Sequence, residues 1–140
     1  MLTAIIAVIG TLAGTGLGVL GNLAGNRAAF REQRRTAAVN ALGDLVSALD
    51  AHRRTMWIRE DRRLRGEDWT DARAASHETR TAISAPLTRF IVLAPGMRDQ
   101  ARAAAAAVYG LRDAATRADL DAARELALVS VQALTDSAHL

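Results

Sequence analysis

Residues 39–65 read VNALGDLVSALDAHRRTMWIREDRRLR. Val39, Leu42, Val46, Leu49 and Met56 recur there at three- and four-residue steps, with one turn skipped near Arg53, which is the period of an amphipathic helix. No turn signal interrupts residues 27–65, so one helix is expected to run to Gly66, where Gly66-Glu67-Asp68-Trp69 ends it. Asp68 then offers an N-cap, and Asp71 a charge suited to the first turn of the next helix.

Toward the C-terminus every further period is helical. Trp69, Ala72, Ser76, Thr79, Ile83, Leu87 and Phe90 predict a second helix over about 69–93, with a kink near Pro86. Ala94-Pro95-Gly96 is a stop. Ala101, Ala104, Val108 and Leu111 predict a third helix over about 97–114. Thr116 with Asp119 resembles a start signal for a fourth over 117–137, whose stripe is Leu120, Ala123, Ala127, Val131 and Leu134. No segment alternates as a strand does, so the fold class is all-α, a small antiparallel helical bundle over 27–140. The alanine run 103–107 implies close helix packing with little area buried per residue, and so a marginal bundle that oligomerisation would support.

Toward the N-terminus the character changes. Residues 1–26 hold no charged side chain, and Arg27, Arg31, Arg34 and Arg35 follow at once. The apolar stretch MLTAIIAVIGTLAGTGLGVLGNLAG is about long enough for a transmembrane helix, and Lys and Arg collect on cytoplasmic flanks. The expectation is a single-pass anchor over 1–26 in the cell membrane, with the N-terminus outside and the bundle cytoplasmic. A cleaved signal peptide is disfavoured because no basic residue precedes the apolar stretch. Gly10, Gly14 and Gly18 form small-xxx-small steps, and Gly21 with Gly25 another; such grooves let helices approach closely in lipid.

The basic pI near 10.8 invites a nucleic-acid reading, but the excess is local. Residues 1–35 carry four Arg and one Glu, whereas residues 36–140 carry fourteen Arg and fourteen Asp or Glu. All of the net charge of +3 therefore lies beside the apolar stretch, where contact with anionic headgroups is expected. With no cysteine, disulfides and thiol catalysis are excluded.

The densest charge run is 52–65, with six Arg against two acids. Acids interleaved at helical spacing favour a salt-bridged face over a nucleic-acid surface. His52, His77 and His139 are the only histidines, and the carboxylates nearest His52 and His77, Asp50 and Glu78, are not one helical turn away, so no metal site and no cofactor is expected. His77 and Arg80 can instead face His52, Arg53 and Trp57 across a helix pair, as a polar layer that fixes register or meets a partner. Gly14-Thr15-Gly16 lies inside the apolar stretch and does not follow a strand. Nothing points to an enzyme.

Five segments add a resemblance: TAIIAVIGTLAGT at 3–15, HRRTMWIRED at 52–61, SHETRTAISAPL at 76–87, IVLAP at 91–95 and VYGLRD at 108–113. Together the chain resembles the KilB-like proteins of Streptomyces, from the apolar stretch to about residue 125. The resemblance implies a small membrane-associated protein linked to conjugative plasmid transfer and spread, lethal when unregulated. It implies no catalytic or ligand residue; the shared His52, Arg53, Trp57, His77, Arg80, Pro86 and Pro95 fit structural roles as well as binding ones. The expected function is therefore non-enzymatic: self-association, or scaffolding of a protein partner in a membrane complex. The alternative is a membrane-perturbing, holin-like factor. A nucleic-acid binder using the basic helix ranks last.

Overall fold

The computed structural model describes residues 2–138, with side chains from residue 25 onward. Four α-helices follow one another: α1 (Leu2–Arg65), α2 (Thr70–Leu93), α3 (Arg98–Tyr109) and α4 (Arg117–Ser137), with a short 3-10 turn at Pro95–Met97. No strand occurs among the described residues, and the fold is an all-α bundle. The chain divides into two compact units, residues 1–36 and 37–140; the second is the bundle.

Pairs across the bundle fix its directions. Asp44 meets Arg89, His52 meets Thr79, and Arg59 meets Ser76, so α2 runs antiparallel to α1. Asp61 pairs with Arg117, while Leu49 lies near Val131 in a shared cleft, so α4 also runs antiparallel to α1.

The α1–α2 turn is built locally. Gly66 has φ +71°, its amide donates to Arg63 O at 3.1 Å, and Glu67 N donates to Arg62 O at 3.0 Å. This is the paired-bond C-terminal stop that needs a left-handed residue, hence glycine. Asp68 Oδ1 accepts from Thr70 N at 2.9 Å and Thr70 Oγ1 at 2.8 Å, which holds its carboxyl below the usual carboxylate range. At α4, Thr116 Oγ1 accepts from Asp119 N at 3.1 Å while Asp119 Oδ2 accepts from Thr116 N at 3.0 Å, a reciprocal capping box.

Two expectations need correction. The buried stripe of α1 is Ala38, Ala41, Leu45, Leu49, His52, Met56 and Arg59–Glu60, whereas Val39 is half exposed and Leu42 and Val46 half-buried. The true stripe lies about one residue away from the one that large side chains suggest, because alanines and polar residues fill its close contacts. The skipped turn near Arg53 is occupied by His52. Second, α3 ends at Tyr109, not 114: Gly110 favours leaving the helix, Leu111 and Arg112 close turns onto Val108 and Tyr109, and Asp113 takes φ +61°. Leu111 is fully buried by that turn. Pro86 lies inside α2, which stays helical to Leu93, within the expected bounds of 69–93. Ile83 and Phe90, both fully buried, anchor it on either side. The Ala82 carbonyl, which loses its donor at Pro86, belongs to an exposed residue that water can reach.

Among the described residues, eight of the seventeen buried apolar ones are alanine, so the core depends on a few large side chains. Phe90, Leu45, Leu49, Ile83, Leu111, Leu120 and Leu134 supply most of its volume.

Candidate functional site

The polar interior of the bundle grows from α1. The positions that interrupt its apolar stripe, His52, Arg59, Glu60 and Asp61, are all buried, so each needs a polar partner.

His52 faces α2 and α3. Its Nδ1 lies 2.9 Å from Thr79 Oγ1, which in turn lies 2.8 Å from Thr55 Oγ1. The ring meets Tyr109 edge-on at 5.7 Å, and the Arg80 guanidinium stacks on the same Tyr109 at 4.4 Å. Arg59, one turn below Thr55, reaches Ser76 Oγ at 3.4 Å and lies over Trp69 at 5.3 Å. Burial first, then the positive charges of Arg80 and Arg59, lower the His52 imidazole to about 4.

That depression makes stability depend on pH. The unfolded chain takes up a proton at His52 near 6.5, whereas the folded bundle takes it only near 4. The contribution is complete above the unfolded value and is lost as pH falls toward the folded one. Allowing for solvent screening, it amounts to about 2 kcal/mol. Denaturant unfolding of the full chain at neutral and acid pH measures it. His52→Gln should flatten the slope across that window; an unchanged slope would assign it to the carboxylates instead.

Glu60 has no exposed surface; its carboxylate accepts from Arg63 Nε at 2.6 Å and lies 3.4 Å from Arg59 Nε. Arg63 also donates to the carbonyl of Ala114 between α3 and α4, tying the end of α1 to that connection. Asp61 pairs with Arg65 and with Arg117 of α4.

Arg53 and Trp57 face the other way. Arg53 pairs with Asp50, and Trp57 carries Arg117 at 4.8 Å and Arg124 at 5.9 Å over its ring. The expected layer is therefore divided. His52, His77 and Arg80 line one cleft, of about 220 Å3, whereas Arg53 and Trp57 line another, of about 270 Å3, with Arg124 of α4. The reason is angular: His52 and Arg53 are one residue apart, about 100° around a helix. His77 is exposed on the rim.

The other expected positions are simpler. Arg27, Arg31, Arg34 and Arg35 are exposed. Gly25 is exposed, with open space where a Cβ would stand. Gly10, Gly14, Gly18 and Gly21 fall outside the residues whose side chains are described. So do the side chains that carry the membrane expectation for 1–24, and among the described residues no helix is long and apolar enough to cross a membrane. Sequence reasoning missed the partners Thr55, Thr79, Ser76 and Tyr109 and the burial of Glu60 and Asp61. The available signal was the polar break at 52 and 59–61 in an otherwise apolar stripe.

Among the described residues no group of His, Asp or Glu could hold a metal ion. The arrangement defines a class: a small all-helical bundle with a charged internal layer and a cationic cleft. Residues 39–139 match the family described as KilB plasmid transfer protein, and the chain is 49% identical over 141 residues to Protein KilB of Streptomyces lividans, covering 99% of this chain and 96% of the relative. The chain belongs to the KilB family. No solved structure matches it.

Proposed function

We propose that this chain is a non-enzymatic, membrane-anchored protein of plasmid transfer whose helical bundle self-associates or scaffolds a protein partner. Residues 1–26 hold it in the cell membrane with the N-terminus outside and the bundle in the cytoplasm. One observation carries this reading: a charge-free stretch of 26 residues is followed at once by four arginines, all exposed. The family description supplies the process, plasmid transfer, and KilB is not a known enzyme family. Leu126 and Val129, exposed on α4, and the glycine steps at Gly10, Gly14, Gly18, Gly21 and Gly25 offer contacts for assembly. Nucleic acid is not the expected partner, since most arginines of the basic run on α1 are spent on neighbouring acids.

The full chain should stay with the membrane pellet through an alkaline carbonate wash, with a C-terminal reporter active only in the cytoplasm. Release by carbonate would overturn the anchor. Vesicle dye leakage caused by the full chain would favour the membrane-perturbing alternative over the scaffold.

A further inference from the structure

The cleft between α1 and α2 has the chemistry of a receptor. It holds about 220 Å3, and its polar lining includes Arg59, Arg80, Arg112, His52, His77 and Ser76, with no carboxylate among the lining residues. The nearest acids are neighbours of the arginines: Glu60 lies 3.4 Å from Arg59, and Asp113 lies 3.2 Å from Arg112. Arg80 has no carboxylate within ion-pair distance among the described residues; its one contact of note is the face of Tyr109.

Two buried polar atoms of this lining have no hydrogen-bond partner, His52 Nε2 and Arg59 Nε. His52 is 1% exposed and Arg59 8% exposed, so both side chains are set into the wall. Buried polar atoms left unsatisfied are uncommon and call for an explanation. Thr79 Oγ1 donates to the Ala75 carbonyl at 3.1 Å and accepts from His52 Nδ1, which leaves Nε2 free to take up a proton and donate to a bound anion. Three guanidiniums from α1, α2 and the turn after α3, with an imidazole and the Ser76 hydroxyl, then surround one small volume.

We propose that this cleft binds a phosphate group, as free phosphate or as the terminal phosphate of a small phosphomonoester. Donors from three separate elements suit a tetrahedral anion with several oxygens better than a flat carboxylate, and guanidinium forks match phosphate geometry. A volume of about 220 Å3 has room for a phosphate together with a small organic group. Burial first, and then the charges of Arg80 and Arg59, lower the His52 imidazole, and a bound anion would oppose the second of these.

The test uses the solubilised full chain titrated with inorganic phosphate and with glycerol 3-phosphate, followed by calorimetry and by the NMR signals of the histidine rings. Saturable one-to-one binding at millimolar concentration or tighter is expected. Bound phosphate should raise the His52 titration midpoint by about one pH unit or more and raise the melting temperature through linkage. Arg80→Gln should weaken binding about tenfold or more, the loss of one charge-assisted contact. Arg102→Gln, an exposed arginine on α3 outside the cleft, should change it little. Tighter binding of glycerol 3-phosphate than of phosphate identifies an esterified ligand, and the reverse a free one. Absence of saturable binding to the wild-type chain, an unmoved His52 signal, or equal losses in the Arg80 and Arg102 variants would overturn the proposal. The wild-type readouts stand even if a variant folds poorly, and neither depends on whether the chain is membrane-anchored.

Discussion

Phe90→Ala lowers the unfolding free energy by about 3–5 kcal/mol, the usual cost of deleting a buried phenyl ring. Among the described residues Phe90 is the one fully buried Phe, Tyr or Trp ring, and it packs in a core whose other members are largely alanine and leucine. Alanine neighbours have no side-chain freedom with which to close over the cavity. A domain of this size has about 5–15 kcal/mol in all, so the loss is a large share of the total. Melting followed by far-UV circular dichroism should fall by about 15 °C or more. Val92→Ala, two residues away and two-thirds exposed, should stay within about 0.5 kcal/mol of the wild type. Similar effects for the two variants would mean that α2 packs with the opposite face inward.

Glu60→Ala is expected to cost as much by a different route. It removes the anion from a fully buried site and leaves Arg59, itself 8% exposed, without a compensating charge. Arg63 also loses the carboxylate that directs it toward the Ala114 carbonyl. Breaking a buried pair from one side costs about 3–5 kcal/mol, whereas replacing both partners by apolar groups of similar size is often neutral. The Glu60→Leu, Arg59→Met pair, which removes both buried charges, should therefore recover a good part of the loss, and a double-mutant cycle measures the coupling. A cost below about 1 kcal/mol for Glu60→Ala would indicate a solvated pair.

Legibility in the sequence varied from helix to helix. In α3 the expected Ala101, Ala104 and Val108 are fully buried, as is Leu111 in the turn just after it, and in α4 Leu120, Ala127 and Leu134 form the inner face as read. In α3 the apolar residues form one face, and in α4 the stripe keeps the helical period along its length although Leu126 and Val129 are exposed, so the period fixes what turns inward. In α1 the stripe came out rotated, because Leu42, Leu45, Val46 and Leu49 cover more than one face and the decision falls to Ala38 and Ala41. Small residues carry almost no weight in a hydrophobic pattern, yet they allow the closest packing.

The candidate site was legible in part. His52 and Arg80 do come together, joined by Tyr109, but nothing in the spacing of residues points to a tyrosine on a third helix. Arg53 and Trp57, adjacent to His52 in sequence, belong to the other side of α1. Contacts between helices depend on relative rotation, which a one-dimensional pattern does not encode.

By itself the sequence determined the all-helical class, the stop at Gly66, the capping box at Thr116 and the local origin of the positive charge, since each follows from covalent geometry or short-range periodicity. Only the tertiary structure decided which face of α1 is inside, that Glu60 and Asp61 are buried and paired, and that three arginines share one cleft. Those outcomes depend on which helices pack together and at what rotation, a balance of burial and charge over residues far apart in the chain.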